Sequence, residues 1–169
     1  MTAVLTAGTE FSVNTNTANN QTGPSVTSLS DGGFVVVWTT MDPAQDGSDY
    51  AVKAQRFDAN GNPVGTEFLV NSQTTNYQST PDVAAFPNGG FVVTWVTGDT
   101  TQDGDNTAIK AQIFDASGNP VGSEFLVNSL TANRQDDPHI TVLDNGNFVV
   151  TWNDSVSYTH LTLPTTERV

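Results

Sequence analysis

The amino-acid sequence predicts an all-β protein made of tandem four-stranded antiparallel repeats that form part of a β-propeller. The first observation is a 57-residue period in the segments Gly8-Thr9-Glu10-Phe11, Gly65-Thr66-Glu67-Phe68 and Gly122-Ser123-Glu124-Phe125. The second is that the three tryptophans of the chain, Trp38, Trp95 and Trp152, keep the same spacing. A unit of this length with four short strands is typical of a propeller blade, and a linear stack of small β-sheets is the alternative.

Within one unit the pattern predicts strand, turn, strand, loop, strand, turn and strand. The segment 91–96 is the strongest strand, because it is rich in β-branched and aromatic residues. Turns are predicted where Asn and Gly, which accept positive φ, interrupt the apolar runs, and no sustained 3.6-residue apolar spacing predicts a helix. In the middle copy the strands are 82–86, 91–96 and 108–114, the turns 87–90 and 115–120, the loop 97–106, and the fourth strand 67–71 with its copy 124–128.

The repeat divides the chain into five parts. These are an N-terminal lead-in (1–7), the first repeat (8–64), the second repeat (65–121), a truncated third repeat (122–155) and a tail that no longer matches (156–169). The strand 34–38 is apolar without alternation, which predicts a neighbour on each of its faces. A closed propeller needs about four or more blades, so we expect the chain to be a fragment of a longer array of neighbouring repeats.

Composition excludes several classes of function. Five Lys and Arg stand against 18 Asp and Glu, a formal net charge of −13, so nucleic acid and anionic membrane surfaces are poor partners. The chain has no cysteine, which rules out disulfides, thiolate zinc sites and cysteine catalysis. No apolar run reaches the roughly 18 residues of a membrane-spanning helix, so membrane insertion is not expected. No basic stretch followed by an apolar one opens the chain, so no N-terminal signal peptide is predicted.

An acidic loop in each of the first two copies is the candidate metal site. Ca²⁺ prefers six to eight oxygen ligands from carboxylates, amides and carbonyls on a flexible loop, and each loop offers several of them near a glycine. The candidate ligands are Asp42, Asp46 and Asp49 in copy one and Asp99, Asp103 and Asp105 in copy two. Their spacing departs from the Asp-x-Asp-x-Asp-Gly pattern, so a solvated loop that connects two strands is the alternative.

Two further groups of residues are predicted to be structural. Trp38, Trp95 and Trp152 each end an apolar strand in phase with Phe and Val, which favours core packing over a platform for stacking sugars. Asp58 and Asp115 precede Ala-x-Gly-Asn-Pro, so we expect each to cap a turn while the glycine takes the left-handed conformation.

Catalysis has little support in the sequence. His139 stands where the other copies carry Ser25 and Asp82, and we interpret it as drift at a surface position. A nucleophile triad needs a histidine, and no Gly-rich phosphate loop or His-x-x-x-His pattern occurs. The acidic residues recur from copy to copy, whereas an active site is usually singular. The sequence therefore predicts that the protein is not an enzyme, although a glycosidase-type pair of carboxylates is left open.

The repeat resembles those of large secreted bacterial proteins of the RTX or haemolysin type, and of adhesins with cadherin-like modules. The segments that carry this resemblance are Gly32-Gly33-Phe34-Val35-Val36-Val37-Trp38, Gln45-Asp46-Gly47-Ser48 and Ala54-Gln55-Arg56-Phe57-Asp58-Ala59-Asn60-Gly61-Asn62-Pro63-Val64-Gly65. The resemblance implies calcium as a cofactor, an extracellular or cell-surface location, and export by a route that reads a C-terminal signal. The nonapeptide Gly-Gly-x-Gly-x-Asp-x-apolar-x of the RTX type is missing from the sequence, and this departure weakens the implication of calcium.

The tail departs from the repeat abruptly. Copies one and two carry Gln45-Asp46-Gly47 and Gln102-Asp103-Gly104 where the third has Thr159-His160-Leu161. Residues 156–169 resemble a peptide found at the ends of metagenomic predictions where sequencing-adapter DNA has been translated. A divergent terminal cap, which repeat arrays need, is the alternative.

Three functions follow from these observations, in order of preference. The first is a non-catalytic structural or adhesive segment of a large exported bacterial protein, with calcium bound between its loops. The alternative is a propeller that binds a glycan or a cell-surface protein through one face rich in loops. A propeller of the glycosidase type is the remotest of the three.

Overall fold

The structure, a computed structural model, describes residues 8–101, 104 and 106–155. These residues form ten β-strands and no helix, so none of them belongs to a helix that could cross a membrane. The predicted lead-in (1–7) and tail (156–169) lie outside the described residues. The strands are β1 (Gln21–Ser28), β2 (Phe34–Thr40), β3 (Ala51–Phe57), β4 (Pro63–Leu69), β5 (Gln78–Ala85), β6 (Phe91–Thr97), β7 (Ala108–Phe114), β8 (Pro120–Leu126), β9 (Gln135–Val142) and β10 (Phe148–Asp154).

The strands form antiparallel meanders in which each strand pairs with the next one along the chain. Sheet 1 has the order β1-β2-β3-β4, sheet 2 has the order β5-β6-β7-β8, and sheet 3 contains β9 and β10. Equivalent strands pair in equivalent registers: Phe34 lies opposite Phe57 in sheet 1, and Phe91 lies opposite Phe114 in sheet 2. The prediction of tandem four-stranded antiparallel sheets is confirmed.

Three strands, β4, β5 and β8, begin earlier than the residue pattern predicts. The strand β5 starts at Gln78 rather than at residue 82, because the Thr80-Pro81 step is a β-bulge inside the strand and not its boundary. The fourth strands β4 and β8 start at Pro63 and Pro120 rather than at residues 67 and 124, because the missing N–H of proline is tolerated at a strand end. Sheet 1 therefore spans 21–69, and the sequence boundary between residues 64 and 65 falls within its fourth strand.

The sheets pack face to face, and sheet 2 is covered on both sides. All seven residues of β6 are buried, which explains why this segment lacks an apolar-polar alternation. Alternate side chains go to opposite faces: Val93 and Trp95 pack against Val35 and Val37 of sheet 1, while Val92 packs in the cluster shared with sheet 3. Phe148 and Val150 complete that second cluster.

The arrangement of the sheets is radial rather than linear. The first strands of the three sheets, β1, β5 and β9, contact one another in order, whereas the described outer strands β4 and β8 make no comparable contact. Sheets that converge on their first strands and diverge at their last ones are arranged like the blades of a propeller. The inner strands therefore surround a common axis, and this position matters for the candidate site.

The segment before β1 repeats the contacts of an outermost strand. The Phe11 and Phe57 rings have centroids 5.5 Å apart, as do the Phe68 and Phe114 rings one period later. The Thr15 amide donates a hydrogen bond to Glu67 Oε2 at 3.0 Å, a contact that recurs one period later between sheets 1 and 2. This segment thus covers part of the free face of sheet 1 in the position that β4 takes on sheet 2.

Candidate site on the inner strands

Each inner strand carries a β-bulge at the same repeat position. The pairing register shifts around Gly23-Pro24 in β1, Thr80-Pro81 in β5 and Asp137-Pro138 in β9. A bulge leaves one residue unpaired, and proline fits there because it has no N–H to donate to the ladder. The bulges turn the residues beside them towards the axis, where the three inner strands approach one another.

Three side chains of different chemistry meet next to these bulges. Ser25, Asp82 and His139 occupy one repeat position, and the structure brings them together from three sheets. The Ser25 hydroxyl donates a hydrogen bond to Asp82 Oδ1 at 2.6 Å, and His139 Nδ1 lies 3.7 Å from Asp82 Oδ2. The backbone N–H of Ile140 also donates to Asp82 Oδ2, at 2.9 Å. The Asp82 carboxylate therefore joins three blades at one point.

An open cavity of about 530 Å³ surrounds this cluster. The size is within the range of pockets that hold small ligands. Asp82 keeps 22% of its side chain exposed and His139 keeps 79%, so both can reach a ligand. The cavity is lined by Gly23, Pro24, Ser25, Thr80, Pro81, Asp82, Asp137, Pro138, His139, Thr151, Trp152 and Asn153.

The cavity combines polar groups with one aromatic surface. Asp82 and Asp137 supply carboxylate acceptors, His139 supplies an imidazole, and Asn153 supplies an amide that donates to Asp137 Oδ2 at 3.1 Å. Trp152 is half-buried and adds an indole to the same wall. Polar groups that converge around an aromatic surface suit a neutral ligand with many hydroxyl groups.

The tryptophans follow the packing prediction at two of three positions. Trp95 is fully buried between sheets 1 and 2, and its indole N–H donates to Gln78 Oε1 at 3.3 Å. Trp38 is 4% exposed and its indole N–H donates to Gln21 Oε1 at 3.0 Å. Trp152 differs from both, because it packs on the second core cluster and also lines the cavity.

The predicted metal ligand Asp42 serves as a hydrogen-bond acceptor for its own loop. It is buried, and its carboxylate accepts hydrogen bonds from the Ala44 backbone N–H and from the side-chain amides of Asn16, Asn19 and Gln45. These donors, led by the Ala44 N–H and the Asn16 amide, lower the pKa of Asp42 below its ordinary value of 3.8. N–H donors occupy the oxygens that a cation would need.

The described ones among the other predicted ligands, Asp46, Asp49 and Asp99, form no acidic cluster with Asp42. The Asp46 carboxylate accepts from the Ser48 N–H at 2.9 Å, and Asp49 is exposed. In the second copy the Asp99 carboxylate accepts from the Thr101 N–H and hydroxyl at 3.0 and 2.7 Å. Asp103 and Asp105 lie outside the described residues.

The described parts of the acidic loops show no cluster of acidic side chains. Across residues 8–101, 104 and 106–155, no three His, Asp or Glu side chains come close enough together to hold a metal. Calcium binding by these loops stays a prediction from the sequence.

Sequence reasoning missed the cluster of Ser25, Asp82 and His139 as a site. The nearby glutamine and proline recur in all three copies, while this position and several of its neighbours change, here from hydroxyl to carboxylate to imidazole. Such variation reads as drift when the three residues are considered 57 positions apart. It gains meaning only when the propeller arrangement places the three positions around one axis.

The fold and the cavity together define the class of the protein as a β-propeller with a polar site on its inner strands. No protein-family model matches the chain, and no curated protein matches it. Solved structures do match the chain, and two of them are enzymes by name.

The chain is similar to the endo-arabinase from Bacteroides thetaiotaomicron VPI-5482, at 17% sequence identity and a TM-score of 0.53. It is also similar to the alpha-L-arabinofuranosidase from Lactobacillus brevis, at 15% identity and a TM-score of 0.58. Each match covers 92% of this chain, and the chain spans 58% and 55% of the two proteins. At this level of identity the likeness establishes the fold alone.

The exclusion of catalysis drawn from the sequence is wrong. Both similar structures are glycosidases by name, so this fold supports glycoside hydrolysis and an enzyme is open to the chain. The reasoning failed because it weighed the acidic residues that recur in each copy. Asp82 does not recur, and it is the carboxylate that the inner strands place in the cavity.

Proposed function

We propose that the chain is part of a carbohydrate-binding β-propeller whose glycan site is the inner-strand cavity. The observation that carries the proposal is the meeting of Ser25, Asp82 and His139, three non-repeated residues at one repeat position. A site that served only to hold the blades together would have no need to differ from copy to copy. The differences lie where a ligand would touch all three sheets.

The chemistry of the cavity suits a neutral glycan. Sugar hydroxyls donate to carboxylates such as Asp82 and accept from an imidazole such as His139. Trp152 offers an apolar ring face of the kind on which the C–H face of a sugar packs. The net charge of −13 disfavours phosphorylated or acidic ligands, and an uncharged glycan meets no such repulsion.

We propose a glycan that contains arabinofuranosyl units as the ligand class. Support comes from the names of the two similar structures, an endo-arabinase and an alpha-L-arabinofuranosidase. The chain spans little more than half of each, so the complete ligand site of a longer protein would include blades beyond the three described here.

Calorimetric titration with arabino-oligosaccharides tests the proposal, with xylo- and cello-oligosaccharides as comparison ligands. We expect Asp82→Asn to weaken binding about 10- to 100-fold, because a hydrogen bond to a charged group contributes roughly 1.5–3 kcal/mol. His139→Ser restores the residue of copy one at an exposed position, so it tests the site without disturbing the core.

Asp144→Asn is the matched control, because Asp144 is an exposed carboxylate in the turn between β9 and β10. It removes the same charge outside the cavity and should leave affinity unchanged. Binding that survives both Asp82→Asn and His139→Ser at the wild-type affinity would refute the cavity as the glycan site. Absence of binding to every oligosaccharide would refute the function itself.

Glycoside hydrolysis is a second candidate, favoured by one observation. Two carboxylates, Asp82 and Asp137, line the same cavity, and most glycosidases use a pair of carboxyl groups that flank the scissile bond. The same protein preparations therefore serve for a reducing-sugar assay on arabinan. Release of reducing ends by the wild type, lost in Asp82→Asn and kept in Asp144→Asn, is the result that supports an enzyme.

We also propose that the protein is exported or lies at the cell surface. The resemblance to RTX-type and adhesin repeats supports an exported or cell-surface protein, a setting in which a glycan-binding propeller would meet extracellular polysaccharide.

A further inference from the structure

The residue before each bulge proline adopts a left-handed backbone conformation. Its φ is +58° at Gly23, +48° at Thr80 and +50° at Asp137, so the three copies share one geometry with three different residues. Glycine reaches this region without penalty because it has no Cβ. The first copy therefore shows which residue suits the backbone best.

The other two copies depart from glycine at an energetic cost. A left-handed conformation is uncommon for any residue with a side chain, and for a β-branched residue such as Thr80 it is a genuine outlier. Aspartate tolerates this region better than threonine, so Asp137 carries less strain. The proline that follows restricts the backbone of the preceding residue further.

Within the described part of the fold, no contact of the Thr80 side chain compensates for this backbone strain. The Thr80 backbone N–H donates to Thr39 Oγ1 at 3.2 Å, and a glycine would keep this bond. Among the described residues, no hydrogen bond is made by the Thr80 hydroxyl, and the side chain is exposed on the cavity wall. Backbone strain that persists without a structural partner concentrates at ligand-binding positions.

Asp137 stands in the corresponding place on the third blade. It is exposed, it lines the cavity, and its Oδ2 accepts from Asn153 Nδ2 at 3.1 Å. The bond orients the carboxylate and leaves its other oxygen available. The inner wall thus carries no side chain at Gly23, a hydroxyl at Thr80 and a carboxylate at Asp137.

We propose that Thr80, together with Asp137, is a specificity-determining contact to the glycan, so that the left-handed strain is retained for recognition. This inference rests on the glycan-binding function proposed above and names the residues that select among glycans. Three different groups on three equivalent bulges make the wall asymmetric. Such a wall offers a different group to the ligand at each blade, so each blade can select a different sugar unit.

The test is a pair of measurements on Thr80→Gly in the full chain. Because glycine relieves the strain, we expect the melting temperature to rise by roughly 1–4 °C, the left-handed penalty being partly offset by the greater freedom of glycine in the unfolded chain. Affinity for arabino-oligosaccharides should fall about 5- to 10-fold, the loss of one neutral hydrogen bond. Thr80→Ser keeps the hydroxyl and should bind within about twofold of the wild type.

The outcomes separate this inference from the function it rests on. If the wild type binds and Asp82→Asn weakens binding while Thr80→Gly binds like the wild type, the role of Thr80 is refuted and the glycan site stands. A lower melting temperature in Thr80→Gly would show that the side chain is structural, which also refutes the inference. A wild type that binds no oligosaccharide overturns both proposals.

Discussion

At the scale of single residues, carboxylates in the turns are held by the backbone around them. Asp58 Oδ1 accepts from the N–H groups of Asn60 and Asn62, both at 2.8 Å, and Oδ2 accepts from Asn62 Nδ2 at 2.9 Å. Asp115 repeats this pattern one period later, and Gly61 takes the left-handed conformation at φ +81°. The prediction that these aspartates cap their turns is confirmed.

These caps make stability depend on acid pH. Hydrogen bonds from the Asn62 side chain and backbone lower the pKa of Asp58 below 3.8, and Asn119 lowers the pKa of Asp115 in the same way. A carboxyl whose pKa is depressed by folding stabilises above its unfolded pKa, and the stabilisation is lost as pH falls through the folded pKa. Asp115→Ala should therefore melt below the wild type at about pH 7, with the gap closing below about pH 4.

Calorimetric melts across that range check the prediction, with the exposed Asp144→Asn as control. A gap between Asp115→Ala and the wild type that stays constant down to about pH 2 would contradict it.

The role of a residue could be predicted from the sequence only when its hydrogen-bond partners lie close to it along the chain. The role of Asp58 was predictable because its donors lie two and four residues away, within one turn. The site at Asp82 was not, because Ser25 and His139 reach it across interfaces between sheets. Nothing local in the sequence states that three residues one period apart face the same axis.

At the scale of elements, a buried ion pair recurs in each complete blade. Lys110 Nζ lies 3.2 Å from Glu124 Oε1 in sheet 2, and Lys53 Nζ lies 3.6 Å from Glu67 Oε1 in sheet 1. Glu124 Oε2 also accepts from the Ser72 N–H at 2.7 Å, in the segment that follows β4. One glutamate thus connects the strands of its own sheet to the preceding sheet.

Replacing Lys110 should lower the free energy of unfolding strongly, because its partner carboxylate is buried. Lys110→Met leaves the Glu124 carboxylate, whose side chain is 5% exposed, without its cation, and we expect a loss of about 3–5 kcal/mol in the free energy of unfolding. Urea denaturation measures this loss. Adding Glu124→Gln to Lys110→Met should recover part of it, and a loss below about 1 kcal/mol in the single variant would contradict the expectation.

The sequence predicted the strands in the middle of each blade better than those at its edges. The segments around Phe91 and Ala108 were located closely because their apolar, β-branched composition is continuous. The inner strand β5 was shortened because Pro81 reads as a strand breaker, whereas the bulge accommodates it. The same bulge positions the residues of the candidate site. Because the sequence pattern did not predict the bulge, it predicted neither the start of β5 nor the site.

At the scale of the whole molecule, equivalent residues stand in unequal surroundings. Trp95 is sandwiched between two sheets, while Trp38, on the outer face of sheet 1, is covered among the described residues by the segment of Phe11 and Val13. A cavity of about 310 Å³ remains beside Trp38. The repeat alone predicts the same surroundings for the two tryptophans. Their surroundings differ because, in the described part of the chain, sheet 2 lies between two sheets and sheet 1 does not.

Paired alanine variants convert this difference into a measurement. Trp95→Ala should cost about 3–5 kcal/mol, because it opens a void closed on both sides. Trp38→Ala should cost at least about 1 kcal/mol less, because water and the covering segment can fill the space. Urea denaturation of both variants gives the comparison, and equal losses would show that the free face is as well packed as the interface.

The radial arrangement could not be decided from the repeat alone, since a linear stack buries both faces of a sheet equally well. The contacts among β1, β5 and β9 decide it, and they depend on how far each sheet twists relative to the next.

Assembly and recognition occupy different positions of one unit. The side chains that seat one sheet on another come chiefly from the middle strands, whereas the cavity wall comes from the bulges of the inner strands and from β10. A substitution of the Thr80 side chain therefore changes what a ligand meets and leaves the apolar packing between the sheets in place. A duplication that adds another repeat would therefore supply the middle-strand residues that pack one sheet on the next. It would also supply a new inner-strand bulge whose side chains can diverge.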